Sequence, residues 1–367
     1  MRFSWQTMPK PIVGLSSMDG VSDAAMRQIT ARYGRPALMM TEFTSVDGLT
    51  HRAVRLLRDF HYTPDQRPVL AQLYGATPEA FRVCAVLVCA LGFDGVDINM
   101  GCPACSVARH GSGAGLIRTP DLAKEVIAAT RQGVRDWVDG RTVDELGLGA
   151  KMTQAVKASP NYVGDVAERL PIPVSVKTRL GFDRIITREW VSHLLETGVD
   201  NISIHGRTLA QQYSGSANWD EIARAAALPR PAHTTVLGNG DVKRPEDVAA
   251  RVAQAGVDGV LIGRGAMGNP WFFDRYQKMA VGAPPPTGPD AYERMRVALE
   301  HAQYLEHLNG TVFQDDPLPF VGMRKHFGWY MRDLPGAAGL RQRLYQTRSS
   351  AEVEQVFQEF ATACGSF

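Results

Sequence analysis

The sequence predicts an α/β protein, a (β/α)8 TIM barrel followed by a small C-terminal helical domain. Eight short apolar runs rich in Val and Ile recur through the first three quarters of the chain, each closed by a polar or Gly-rich loop. Stretches with helical spacing lie between them, and beyond the eighth run only helical spacing continues. Eight buried strands alternating with helices are what a closed parallel barrel requires; an open doubly wound sheet is the alternative.

The runs are IVGLSS (Ile12 to Ser17), ALMMTEF (Ala37 to Phe43), PVLAQLY (Pro68 to Tyr74), GVDINM (Gly95 to Met100), PVSVKTR (Pro173 to Arg179), NISIHG (Asn201 to Gly206), TTVLGNG (Thr234 to Gly240) and GVLIGRG (Gly259 to Gly265). Helical spacing follows in PEAFRVCAVLVCALG, DLAKEVIAATRQGV, TREWVSHLLETG and RPEDVAARVAQAG. Between the fourth and fifth runs, residues 135–165 exceed a simple crossover and read as a partly helical insertion on the barrel rim. The barrel domain is expected over 1–280, a stiff Pro-rich linker over 281–290, and a helical RNA-binding domain over 291–367.

Composition sets bounds on function. Forty Lys+Arg against 38 Asp+Glu give a formal charge of only +2, so a polyanionic partner must be met by a local basic patch. Five cysteines, an odd count in a long chain, argue against a secreted disulfide framework and for a reducing compartment. The N-terminus lacks the apolar core of a signal peptide, and the longest apolar run, VCAVLVCALGF, is too short to span a bilayer. A cytoplasmic protein with no membrane partner, monomeric, is the expectation.

In a barrel of this kind the working residues sit at the C-terminal ends of strands. The polar residues there are Met18, Glu42, Gln72, Asn99, Cys102, Lys177, Arg179, His205, Arg207, Asn239 and Arg264. The turns LGNGDV and IGRGAMGNPW, after the seventh and eighth runs, place backbone N–H groups where a phosphate commonly binds, with Arg264 alongside. A phosphate there, with Gln72, Lys177 and His205 at other strand ends, suits flavin mononucleotide (FMN) across the barrel mouth. Singly, such a Lys is more often a surface charge and such a His structural; their joint placement carries the reading.

The chain resembles the dihydrouridine synthases, flavin enzymes that reduce uridine in RNA, through ordered blocks that span nearly the whole barrel. These are SSMDGVSDAAMR, PVLAQLYG, DINMGCP, SVKTRLGFD with SIHGRTLAQQYSGSANWD, and LGNGDV with IGRGAMGNPW. MRKHFGWYMRDLPG resembles a segment of the family's helical domain, which grips RNA. The resemblance implies that Ser17 and Met18 meet the flavin, that Gln72, Lys177 and His205 hold its ring and ribityl chain, and that Asn239, Gly240, Asp241, Gly263 and Arg264 bind its phosphate. It further implies substrate contacts from Asn99, Arg179, Arg207, Arg324 and Lys325, and no metal. NADPH reduces the flavin, hydride passes from flavin N5 to carbon 6 of uracil in tRNA, and the Cys102 thiol protonates carbon 5. The base must be extruded from folded RNA to reach the mouth, where Arg109 and His110 are further candidate contacts. Ribosomal RNA is the alternative substrate.

This chain departs from the family pattern in writing Ser16-Ser17-Met18 at the first run, in carrying Cys105 and Ser106 where relatives have lysine, and in the 135–165 insertion. A rival within enzymes is a flavin barrel acting on a small molecule, such as a dihydroorotate dehydrogenase or an ene-reductase, which needs no RKHFGWY domain. A catalytically idle RNA-binding protein is a rival of another class. The C-x-x-C of Cys102 and Cys105 also invites a zinc or dithiol reading, but no second C-x-x-C or nearby His pair completes a metal site.

Overall fold

A computed structural model describes residues 3–102, 111–164, 168–284, 287–334 and 336–363. Its strands are β1 (Ile12–Leu15), β2 (Met39–Ser45), β3 (Val69–Tyr74), β4 (Gly95–Met100), β5 (Val174–Arg179), β6 (Asn201–His205), β7 (Thr235–Asn239) and β8 (Gly259–Ile262). All neighbours pair in parallel, in sequence order, and β8 returns to β1 to close the barrel. The expected (β/α)8 fold is therefore present. Closure depends on Gly259, where a Cβ would lie 2.0 Å from the Ile12 carbonyl oxygen; a residue without a side chain lets the last strand reach the first.

The interior is layered. Ile12, Met40, Leu70, Leu237 and Leu261 fill the lower barrel, with Trp5 packed into the same cluster. Above them the inward side chains of β3 to β6 turn polar: Gln72, Asp97, Ser175, Asn201 and Ser203 are all 0% exposed. Such residues enter a core only when they satisfy one another, which these do.

Within the barrel unit, helices α2 (Val46–Thr50), α3 (Pro78–Ala90), α4 (Pro120–Val138), α5 (Ala150–Lys157), α6 (Thr187–Leu195), α7 (Trp219–Ala226) and α8 (Asp247–Ala255) complete the repeats. Prolines open α3 and α4, where a missing N–H costs nothing. Gly133 lets α4 approach α3, because a Cβ there would sit 2.1 Å from the Arg82 carbonyl oxygen. The segment expected as an insertion begins in the last turn of α4, contains α5, and buries Leu148, Met152 and Val156. Its Asn161 side chain donates to the Tyr62 carbonyl at 3.0 Å and Val163 N–H to that of Ala90 at 2.7 Å. Both partners precede strand starts, so this stretch lies at the end of the barrel opposite the mouth.

The contacts divide the chain into two units, Met1–Ala24 with Pro36–Gly263, and Ala25–Arg35 with Arg264–Phe367. The second comprises α1 (Ala24–Gly34), α9 (Phe272–Ala280), α10 (Ala291–Thr311), α11 (Met323–Tyr330), α12 (Ala337–Leu344) and α13 (Ser350–Ala363). The helix after β1 thus joins the C-terminal helices. Arg32 pairs with Glu300, Tyr33 packs on Trp271 with ring centroids 5.8 Å apart, and Gly34 permits close approach of the Pro270 carbonyl. The Pro-rich stretch 281–290 separates α9 from α10 in the chain.

Candidate active site at the barrel mouth

The inward faces of β3, β4 and β5 hold one continuous hydrogen-bond relay that rises to the mouth at Asn99. Asp97 Oδ1 accepts from the Ser175 hydroxyl at 2.7 Å, and its Oδ2 accepts from Gln72 Nε2 at 2.6 Å. Gln72 Oε1 accepts from Asn99 Nδ2 at 2.8 Å. Asn99 Oδ1 in turn accepts from the backbone N–H groups of Gly101 at 3.0 Å and Cys102 at 2.8 Å. The turn carrying Cys102 is thereby tied to the barrel interior, and Cys102 itself is 6% exposed.

Lys177 on β5 stands in register with Asn99 on β4. No hydrogen bond or ion pair joins its ammonium to another described residue. Burial brings its pKa down to about 8 and the Arg179 charge adds to this, while Asp97 and Cys102 oppose the shift. Burial pushes the Asp97 carboxyl up to about 6, against the hydrogen bonds from Ser175 and Gln72 and the charge of Lys177. The site therefore presents, beside a buried thiol, a cation that bonds to no other described residue.

The two arginines at strand ends are turned into the protein. Arg179, 3% exposed, donates from Nε to the Gly101 carbonyl at 2.6 Å and from Nη1 to that of Thr208 at 3.1 Å, joining the β4 and β6 loops. Burial lowers its pKa to about 10. Arg207, 2% exposed, donates to the Ser214 and Gly215 carbonyls and to Asp241 Oδ2 at 2.7 Å. Asp241 Oδ2 also accepts from Ala217 N–H at 2.7 Å, so this carboxylate shapes the β6 loop. Nη1 of Arg207 is buried with no hydrogen-bond partner among the described residues.

The last strands build a close-packed floor. His205 is 7% exposed, and a Cβ on Gly240, whose φ is +125°, would come within 3.1 Å of its ring and 2.8 Å of Ala217. Asn239 spends its Nδ2 on the Leu261 carbonyl at 2.8 Å, keeping β7 and β8 together. Gly263 follows β8, and a Cβ there would meet Met18 Sδ at 3.5 Å. Met18 N–H donates to Ser22 Oγ at 2.8 Å, while the Ser17 hydroxyl is buried with no partner among the described residues.

The barrel thus gathers Ser17, Met18, Gln72, Asn99, Cys102, Lys177, Arg179, His205, Arg207, Asn239, Gly240, Asp241 and Gly263 at strand ends or the loops that follow. Arg264 is exposed and opens the second unit, and there Arg324 is exposed and Lys325 half-buried on α11. Cys105, Arg109 and His110 lie outside the described residues. Among the described residues no group of three or more His, Cys, Asp or Glu could hold a metal ion, and no helix is long and apolar enough to cross a membrane. Sequence reasoning passed over Asp97, Ser175 and Ser203 because it collected only residues closing the runs. The signal was the polar residue two places before Asn99, Lys177 and His205, on the same face of each strand.

Comparison with known proteins places this arrangement. Residues 14–139 and 140–364 match the family described as dihydrouridine synthase (Dus). The "Probable tRNA-dihydrouridine synthase" of Staphylococcus aureus (strain COL) is 31% identical over 97% of this chain and 95% of its own length. The "Probable tRNA-dihydrouridine synthase 2" of Bacillus subtilis (strain 168) is likewise 31% identical, over 97% of this chain and 96% of its own. Among solved structures, DHODH from Eimeria tenella in complex with ferulenol aligns with a TM-score of 0.47 and 12% identity, covering 75% of this chain and 83% of that one. With the match running through both units, this chain belongs to the dihydrouridine synthase family.

Proposed function

We propose that this enzyme reduces the uracil 5,6 double bond of uridines in tRNA to dihydrouridine, using FMN and NADPH. The observation that carries the reading is the pairing of Cys102, held by Asn99 of β4, with the Lys177 ammonium of β5, which has no bonding partner among the described residues. The residues present suit a flavin. Among the described residues neither the buried Ser17 hydroxyl nor the Lys177 ammonium has a bonding partner, and Gly240 lets the β7 turn pack closely on His205 and Ala217. Ser17 and Met18 line one side, Lys177 and His205 another, and the turns at Asn239, Gly240, Asp241 and Gly263, with the adjoining Arg264, offer the phosphate backbone N–H groups and charge. Asp241 contributes there through its backbone, its carboxylate being engaged with Arg207.

FMN, when bound, would supply the hydride for carbon 6 of the uracil, with NADPH as the reductant. The protein does the rest. Asn99 keeps one amide N–H beyond its bond to Gln72, available to a uracil carbonyl. The Lys177 charge stabilises negative charge that develops over the mouth. The Cys102 thiol gives its proton to carbon 5 as the enolate forms and regains one from solvent. The helical unit, through Arg324 and Lys325, binds the RNA, and the extruded uridine enters the mouth. Gln72 acts from within the wall, because it is 0% exposed and its amide is bonded at both ends.

The test is to map dihydrouridine in total RNA from cells with and without the gene. Loss of one or more tRNA sites is expected. Unchanged tRNA with a lost ribosomal RNA site transfers the activity to that substrate, and no change anywhere refutes the reading.

A further inference from the structure

A buried carboxylate lies beneath the mouth and takes no part in the proposed reaction. We propose that Asp97 is a positioning residue: its carboxylate decides which way round the Gln72 and Asn99 amides stand and, through them, holds the backbone turn that carries Cys102. This inference rests on the function proposed above.

The relay has direction. Asp97 accepts at both oxygens, from Ser175 and from Gln72, and an ionised carboxylate can do nothing else. Its pKa of about 6 keeps it ionised at neutral pH. Gln72 must therefore turn Nε2 toward it and leave Oε1 for Asn99. At the far end stand the N–H groups of Gly101 and Cys102, which can only donate, so Asn99 must turn Oδ1 to them. A chain that begins at an obligate acceptor and ends at obligate donors has one self-consistent arrangement of its two amides. All three side chains are buried, Asp97 and Gln72 at 0% and Asn99 at 6%, so water does not substitute for a wrong partner.

The substitution Gln72→Glu keeps shape and removes direction, because it sets a second acceptor against Asp97 Oδ2. Asp97→Asn alone is tolerated: the Ser175 hydroxyl, which also reaches the Val96 carbonyl at 3.3 Å, can accept from the new amide and leave its oxygen to Gln72. Adding Asp97→Asn to Gln72→Glu supplies the donor that the glutamate needs and makes the relay whole again.

In flavin-free protein, the rate of Cys102 alkylation by iodoacetamide, mapped by mass spectrometry, is expected to change about threefold or more in Gln72→Glu and to return near the wild-type rate in Asp97→Asn/Gln72→Glu. In loaded enzyme, Gln72→Glu is expected to lower kcat for uridine reduction roughly tenfold with KM for tRNA within about twofold, and the double variant to recover most of the loss. A wild-type alkylation rate in Gln72→Glu, or a change that the double variant does not reverse, overturns the proposal. Should Gln72→Glu be insoluble, solubility of the double variant supports the relay and insolubility of both overturns it. Failure of the wild-type enzyme to reduce any uridine strikes the functional reading alone, since the alkylation arm still judges the relay.

Discussion

Cys102 shares its surroundings with two cations, Lys177 and Arg179, and its backbone is held by Asn99. A proton donor in that position predicts a sharp division between the two cysteines of the C-x-x-C. Cys102→Ala should lower uridine reduction about 100-fold or more while leaving flavin content and NADPH oxidation near wild type, and Cys105→Ala should be mild; equal losses in the single-turnover assay favour a dithiol. Lys177 makes a pH prediction. With a pKa of about 8 it is cationic below that value and neutral above it, so affinity for anionic reduced flavin should fall as pH rises from 7 to 9, roughly tenfold. Anaerobic titration of wild type and Lys177→Met, which should lack the pH dependence, checks this. Lys177, Asn99 and Cys102 are legible in the sequence because they are polar residues at or just beyond the ends of apolar runs. Asp97 and Ser175 escape that rule, because their polarity serves other side chains inside the barrel and shows only as a repeat two residues earlier.

At the scale of elements, the loops after β6 and β7 depend on one carboxylate. Asp241 holds Arg207 and the Ala217 N–H, with φ +53° at its own backbone. Removing it leaves a guanidinium that is 2% exposed with a lost counter-charge. Asp241→Ala should therefore cost about 2–3 kcal/mol in chemical denaturation, below the usual cost of breaking a fully buried pair because Asp241 keeps 18% exposure, and should weaken FMN binding. Asp241→Asn should lose less. The motif LGNGDV marks a candidate phosphate turn in the sequence, but the partner of its Asp lies 34 residues earlier, and such a long-range pair leaves no local pattern. The allegiance of α1 was illegible for the same reason. Its Arg32 pairs with Glu300, its Tyr33 packs on Trp271 and its Gly34 admits the Pro270 carbonyl, all far along the chain.

For the whole molecule, the RKHFGWY segment has two faces. Arg324 is exposed, but His326 is 2% exposed with its ring 4.5 Å from that of His301, itself 0% exposed. Burial, then the neighbouring His301 and Lys325, holds the His326 pKa well below the usual histidine range. The unfolded chain therefore binds a proton that the folded one refuses, and stability is full above about pH 6.5 and lost as pH falls below it. Denaturation should show the helical unit less stable at pH 5.5 than at pH 7.5, by at most about 1.4 kcal/mol per pH unit below 6.5, and His326→Leu should flatten that slope. The barrel itself was determined by the sequence alone, because eight apolar runs separated by helical spacing admit few ways to bury both faces of each strand. So was the row of polar residues at the strand ends, which sequence alone marks as candidates. Tertiary structure alone decided which of these side chains bond to protein partners, as Gln72, Arg207 and Asp241 do, and which bond to none among the described residues, as Lys177. Those choices depend on hydrogen bonds between strands and loops distant in sequence, where a residue's chemistry names what it can bond and only the fold supplies the partner.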